Sequence, residues 1–288
     1  MTEIYSLEGK NVAITGVAGA IGTQIAVRFA KAGASILLLS DISQTALENL
    51  RRTLERHGPF PNTRVIEMIC DVSDDKKMAS LLARLDDYGG VDVMVNNAGV
   101  FPTDFDGDAV TSTTKAWEMT HQVNVIGTWL GCRHAVLSLR RHTKNKGSII
   151  NISSVAGLIG SATAQLAYTA SKGAVIAMTR ELGIVHAREG FRFNSLCPGP
   201  LNSPMLQEFL DGEDIEGTSK TDRRERREVH LPQGRWGEPT EVAAAALFLA
   251  SDASSFVNST ELVVDGGLTK AYVTPTGAPH YGSLQNFI

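Results

Sequence analysis

A doubly wound α/β architecture, one parallel sheet with helices on both faces, follows from three features of the chain. Short aliphatic runs alternate with longer helical patterns, most of those runs are apolar on both faces, and a glycine-rich turn joins the first run to the first helix. Strands are expected at 12–15, 35–40, 64–70, 91–95, 147–152, 192–196 and 261–264, with helices at 20–32, 43–57, 74–88, 113–142, 165–188 and 239–251. Strand 12–15 runs into the turn and helix 20–32. Strand 35–40 contains Leu37-Leu38-Leu39 and precedes a helix that Ser43 is suited to cap. Strands 64–70 and 91–95 end at Cys70-Asp71-Val72 and Asn96-Asn97-Ala98-Gly99, and strand 147–152 leads into Ser153-Ser154. Strand 192–196 precedes Pro198-Gly199, and 239–251 and 261–264 complete the alternation.

The 288 residues fit one large domain, residues 1–270, followed by a tail, 271–288. Hydrophobic residues make up 43%, which excludes disorder for the bulk of the chain. A net charge of -4 offers no case for nucleic acid, and in the densest charge run, 211–228, seven acids offset five bases. The three cysteines, Cys70, Cys132 and Cys197, are far apart and read as reduced thiols. The chain begins without a basic, apolar leader, and its longest apolar stretch, 242–250, is far short of the ~20 residues that span a bilayer. A soluble, cytoplasmic protein without a membrane partner is expected. Two segments interrupt the rhythm: 101–110, and a lid at 200–236 that carries Met205, Leu206, Phe209 and Leu210. Loops leaving the carboxyl ends of strands surround the ligand crevice of such a sheet, so both are candidate substrate walls.

The turn Thr15-Gly16-Val17-Ala18-Gly19-Ala20-Ile21-Gly22 follows the first strand and enters a helix. Glycines let backbone amides approach a pyrophosphate, and the helix N-terminus supplies partial positive charge. Asp41 ends the second strand 19 residues after Gly22, where an acid accepts hydrogen bonds from an adenosine ribose. It would repel a 2′-phosphate, and no Arg or Lys accompanies it at 40, 42 or 43. NAD is therefore favoured over NADP. Asp71, Val72 and the Asn96–Gly99 run are placed to reach the adenine and to stabilise the turn.

Tyr168 and Lys172 lie four residues apart and so on one helix face. A free phenol ionises near pH ~10, and a neighbouring ammonium favours the phenolate. The spacing alone occurs on many solvated helices; it gains meaning from Ser154, 14 residues upstream, and from the nucleotide turn.

In order along the chain, the Gly-rich turn, Asp71-Val72, Asn96-Asn97-Ala98-Gly99, Asn124, Ile152-Ser153-Ser154, Tyr168-x-x-x-Lys172 and Pro198-Gly199 resemble the short-chain dehydrogenase/reductase family, from about residue 7 to Gly267. The resemblance implies a Rossmann-like fold and hydride transfer between a nicotinamide and a secondary alcohol or ketone. By it Tyr168 is the general acid/base, Lys172 lowers the Tyr168 pKa and holds the nicotinamide ribose, Ser154 orients the substrate oxygen, and Asn124 anchors a relay water. Gly16, Gly19, Ile21, Gly22, Asp41, Asp71, Val72, Asn96, Ala98 and Gly99 would line the cofactor with Tyr168 and Lys172, and Pro198, Gly199, Leu201 and Ser203 would border its nicotinamide. The family pattern has glycine where Ala20 stands, 13 residues rather than 14 between serine and tyrosine, and commonly threonine at Ser203; Ser153 is the fallback for Ser154. A homotetramer is implied, paired through 113–142 and 165–188 and again near 239–267, with the tail's Tyr281, Leu284, Phe287 and Ile288 available to cross an interface.

Other chemistries fit poorly. No Gly-x-Ser-x-Gly elbow is present, and the seven histidines are scattered, so no metal site is expected. Asp104-x-Asp106-Gly107-Asp108 lacks calcium-loop spacing and reads as solvated loop. The alternatives are an NADPH-dependent ketoreductase of the 3-oxoacyl type and, from another class, a catalytically silent nucleotide-binding protein. Met205, Leu206, Phe209, Phe101 and Phe105 favour a lipophilic or cyclic substrate.

Overall fold

The strands are β1 (Asn11–Thr15), β2 (Ile36–Asp41), β3 (Arg64–Ile69), β4 (Val93–Asn96), β5 (Gly147–Ile152), β6 (Phe191–Pro198) and β7 (Glu261–Val264). In this computed structural model, which describes residues 3–161, 164–204, 207, 228 and 230–271, they form one sheet in the order β3-β2-β1-β4-β5-β6-β7. Every pairing is parallel. The helices are α1 (Ala20–Lys31), α2 (Gln44–Arg56), α3 (Asp75–Ala83), α4 (Thr114–Thr120), α5 (Thr128–Arg141), α6 (Leu166–Val185) and α7 (Pro239–Ala250).

Alternation along each strand divides the core. Val12, Ile14, Leu37 and Leu39 face one way and pack with Ile25 and Phe29 of α1 and with Val242 and Leu249 of α7. Ala13, Leu38, Met94 and Ile149 face the other way, against Met78 and Leu81 of α3 and Leu130 and Leu139 of α5. Burying each large aliphatic side chain contributes about 1.5–3 kcal/mol, so both helical layers are held by the central strands. Continuous aliphatic strands are the consequence of having two covered faces.

Three expected helices end or change character early. The 74–88 pattern is α3 followed by a 3-10 turn, Asp86–Tyr88, closed by Gly89 in the left-handed region at φ 85. The 165–188 pattern is α6 followed by a 3-10 turn, Ala187–Glu189. The 113–142 pattern breaks more deeply: α4 and α5 are separated by a π-helical segment, His121–Gly127. Periodicity does not distinguish one wide turn from an α-turn; a tertiary contact of Asn124, described below, accompanies it.

Among the described residues no helix is long and apolar enough to cross a membrane, and no cluster of His, Cys, Asp or Glu is suited to a metal. The lid side chains Met205, Leu206, Phe209 and Leu210, the charged run 211–227 and the tail from 274 lie outside the described residues.

Candidate active site

Strand β1 is flanked by β2 and β4, which continue the sheet in opposite directions. Ligands of such sheets bind outside the carboxyl ends of the strands at this reversal. The turn after β1 is built for close approach. Gly16 has φ 61, and a Cβ there would stand 2.5 Å from the Ala98 Cα. A Cβ on Gly22 would stand 2.5 Å from the Gly16 carbonyl oxygen. Both positions exclude any side chain. At Gly19, by contrast, a Cβ would meet only the Gly16 carbonyl at 3.6 Å, an ordinary contact, and the residue is exposed above the turn. Ala20 opens α1 and Ile21 packs against the core.

Polar contacts fix this turn from two sides. Thr15 Oγ1 accepts from the amides of Asn97 and Ala98, each at 3.2 Å, and Asn97 Nδ2 donates to the carbonyls of Thr15 (3.1 Å) and Gly16 (2.7 Å). Asp41 accepts from the Ala18 amide at 3.1 Å through Oδ2 and from the Ser43 amide at 3.2 Å through Oδ1. Ser43 is the cap of α2, so Asp41 is not spent on that role. The Ser73 hydroxyl and amide both donate to Asp71 and hold its carboxyl below the usual carboxylate range. The side chain of Asn96 departs from expectation. It is 3% exposed and donates inward to Asn151 Oδ1 at 2.8 Å, so only its main chain borders the crevice.

Ser154, Tyr168, Lys172 and Asn124 converge at the ends of β4 and β5. The Ser154 hydroxyl beside the Tyr168 phenol favours the phenolate, but burial is the larger effect and raises the Tyr168 pKa. Tyr168 as a residue is half-buried. Ser154 Oγ also accepts from the Ala156 amide at 3.1 Å, which starts the 3-10 turn Val155–Gly157. Ser153 points elsewhere: it is buried and donates to the Lys172 carbonyl at 2.8 Å. A Cβ on Gly157, at the end of that 3-10 turn, would stand 2.7 Å from the Lys172 backbone. That contact fixes the serine turn against α6.

Lys172 is 5% exposed, and burial lowers its pKa to about 8. Its Nζ donates to the Ile152 carbonyl at 3.0 Å and lies 5.6 Å from the centre of the Tyr168 ring. Desolvation weighs on both groups, and the ammonium is bonded toward β5. Burial pushes the neighbouring Cys197 thiol up to about 12, which keeps it protonated.

Asn124 sits in the π-helical segment with its side chain saturated. Oδ1 accepts from the Val100 amide at 2.8 Å, while Nδ2 donates to the Val100 carbonyl and to Ser171 Oγ, each at 3.0 Å. The Thr128 amide turns to the Val125 carbonyl, and the Asn124 carbonyl receives the Thr128 hydroxyl at 2.7 Å. A water held by Asn124 would therefore sit on its main chain. Farther along the crevice, Gly199 bonds to the Val264 carbonyl and Leu201 is buried in a bridge to Gly237; Pro198 ends β6 beside Val264, with half-buried Ser203 in the following loop.

One residue of the site was read differently from sequence. Asp106, expected in a solvated loop, accepts from the amides of Ala167 (3.0 Å) and Tyr168 (2.9 Å) and so caps α6. The sequence does carry a signal for this. Gln165 immediately precedes the helix and makes no side-chain cap, so the first amides of α6 need a partner from elsewhere.

The chain belongs to the short-chain dehydrogenase/reductase family. The family description "Enoyl-(Acyl carrier protein) reductase" matches residues 16–269. A 2-(R)-hydroxypropyl-CoM dehydrogenase of Xanthobacter autotrophicus is 35% identical over 257 residues, 89% of this chain and 97% of that one. The crystal structure of a levodione reductase superposes with a TM-score of 0.84 at 29% identity, over 92% of this chain and all of that one. An actinorhodin polyketide ketoreductase solved with NADPH gives 0.82 at 28% identity, over 92% and 100% of the two chains. Membership makes this an oxidoreductase of hydroxy and keto compounds, of a family that uses nicotinamide cofactors.

Proposed function

We propose that this protein is an NAD(H)-dependent dehydrogenase/reductase that interconverts a small secondary alcohol and its ketone. The observation that carries the reading is the pairing of the Ser154 hydroxyl with the Tyr168 phenol, with Lys172 one turn along the same helix. The turn fits a dinucleotide, because Gly16 and Gly22 bring backbone together where any Cβ would intrude and Gly19 leaves open space above it. When bound, the nicotinamide supplies the hydride chemistry. Tyr168 exchanges a proton with the substrate oxygen, and Ser154 orients that oxygen. Lys172 holds the nicotinamide ribose, and the Asn124 carbonyl anchors water for the proton relay. Gly16, Gly19, Ile21 and Gly22 receive the pyrophosphate, Asp41 the adenosine ribose, Asp71 and Val72 the adenine. The main chain of Asn96, Ala98 and Gly99 lines the crevice floor, and Pro198, Gly199, Leu201 and Ser203 border the nicotinamide.

Phe101 stands 4.7 Å from the Tyr168 ring, centre to centre, which gives the substrate an apolar wall and favours a lipophilic or cyclic alcohol. A 3-oxoacyl substrate is the second reading, supported by a 3-oxoacyl-(acyl-carrier-protein) reductase of Thermotoga maritima at 34% identity. Absorbance at 340 nm with NADH, across cyclic ketones, aliphatic ketones and 3-oxoacyl thioesters, separates the two; no turnover of any class would overturn both.

Ser154→Ala should lower kcat more than Ser153→Ala, because only Ser154 reaches the Tyr168 hydroxyl. A steady-state comparison giving the reverse ranking would reassign the serine.

We also propose a homotetramer, with residues 1–270 as the catalytic domain. Trp129 and Leu137 of α5 and Ile184 and Val185 of α6 are exposed on the helices expected to pair, and Phe256 is fully exposed beside the second expected interface. Light scattering should give four times the chain mass at micromolar concentration; a monomer would eliminate this assembly.

A further inference from the structure

One loop, residues 101–110 after β4, holds Tyr168 at two points. Phe101 lies against its ring, and Asp106 accepts the amides of Tyr168 and of Ala167 before it. The loop adds a third tie, the Leu166 amide donating to the Gly107 carbonyl at 3.0 Å. Asp106 is itself held: Oδ1 also accepts from the Gly107 amide (2.8 Å) and the Ser112 hydroxyl (3.0 Å). These bonds outweigh the cost of partial burial and keep the carboxyl below its usual range. The first turn of α6 has no cap of its own, so the rotation of that turn, and with it the direction of the Tyr168 phenol, is set from 62 residues away.

We propose that Asp106 is a positioning residue for proton transfer: it fixes the first turn of α6 so that the Tyr168 hydroxyl stays aligned with Ser154. The assignment rests on Tyr168 being the acid/base. Because Asp106 bonds to backbone amides of α6 and lies outside the nucleotide turn, its loss should weaken chemistry and leave cofactor affinity intact. Misplacement of a reacting group by about 1 Å costs on the order of 10²-fold in rate.

The test compares the parent with Asp106→Ala, Asp106→Asn, Tyr168→Phe and, as a control outside the loop, the exposed Asp87→Ala. Each is assayed with NAD and whichever of 2-propanol, cyclohexanol and 2-octanol the parent oxidises fastest; NADH affinity is measured separately by fluorescence. Asp106→Ala should lose about 10- to 100-fold in kcat with NADH affinity within about twofold. Asp106→Asn, which keeps one accepting oxygen, should recover part of that loss, and Asp87→Ala should match the parent. Hydrogen exchange at the Ala167 and Tyr168 amides, which needs no substrate, should quicken in Asp106→Ala. Parent-level kcat in folded Asp106→Ala, unchanged exchange, or equal losses of kcat and NADH affinity would each overturn the assignment. Should Asp106→Ala fail to fold, Asp106→Asn decides: reduced kcat at unchanged NADH affinity supports it, and parent-level kcat overturns it. An active Tyr168→Phe removes the reading of Tyr168 and this inference together. An inactive Tyr168→Phe beside a fully active Asp106→Ala removes this inference alone.

Discussion

Tyr168→Phe should lower kcat for alcohol oxidation by about 10²–10⁴-fold, the share that a positioned acid or base contributes, with NADH still bound. The phenol is the acid/base group paired with Ser154, and phenylalanine keeps the ring and its contact with Phe101. The pH dependence has a definite sign. Only deprotonated Tyr168 accepts the alcohol's proton, and burial raises its pKa, so the parent's oxidation rate should climb about tenfold per pH unit below that pKa. Ketone reduction draws on the protonated form, which is already present at neutral pH, and should decline only in alkali. Near-parent kcat in Tyr168→Phe would defeat the mechanism. So would a flat oxidation profile from about pH 6 to 10 under a full deuterium isotope effect. Lys172→Ala should reduce both turnover and cofactor affinity, since the same ammonium lies beside the phenol and on the expected ribose path.

NADH should exceed NADPH in kcat/KM by about 100-fold, equivalent to about 3 kcal/mol and within the cost of a like-charge contact in a partly desolvated site. Asp41 stands at the end of β2 with one oxygen on the Ala18 amide and the other on Ser43. Two cations of the following helix α2 are engaged elsewhere: Arg51 is paired with Glu67 on β3, and Arg52 donates to Asn49 at 3.2 Å. A 2′-phosphate would meet the Asp41 carboxylate without a partner. Asp41→Ala should erode the preference mainly by raising the KM for NAD about tenfold, the loss of one charged hydrogen bond. Equal or better use of NADPH by the parent in paired assays would show that a cation outside this arrangement reaches the ribose.

The sequence by itself determined the elements and the two ends of the site. Continuous burial of Val12–Thr15 and of the Leu37-Leu38-Leu39 run comes from local residue order, and it predicts a covered parallel sheet wherever those strands are placed. Gly16, Gly22 and the Tyr168-Lys172 spacing are also local, each expressing its geometry within one turn. Only the tertiary structure decided which polar groups meet. Ser153 and Ser154 are adjacent and chemically identical, yet one bonds to the α6 backbone and the other lies at the phenol, because the backbone stays extended just past β5 and turns them apart. Asn96, expected in the crevice, finds Asn151 inside the core. Asn124 meets Val100 where its helix widens into the π segment, and Asp106 caps a helix from another loop. A side chain's hydrophobic character is written in its own residue, so the burial pattern survives in sequence. A hydrogen bond needs a second partner, and chain folding brings that partner near from tens of residues away.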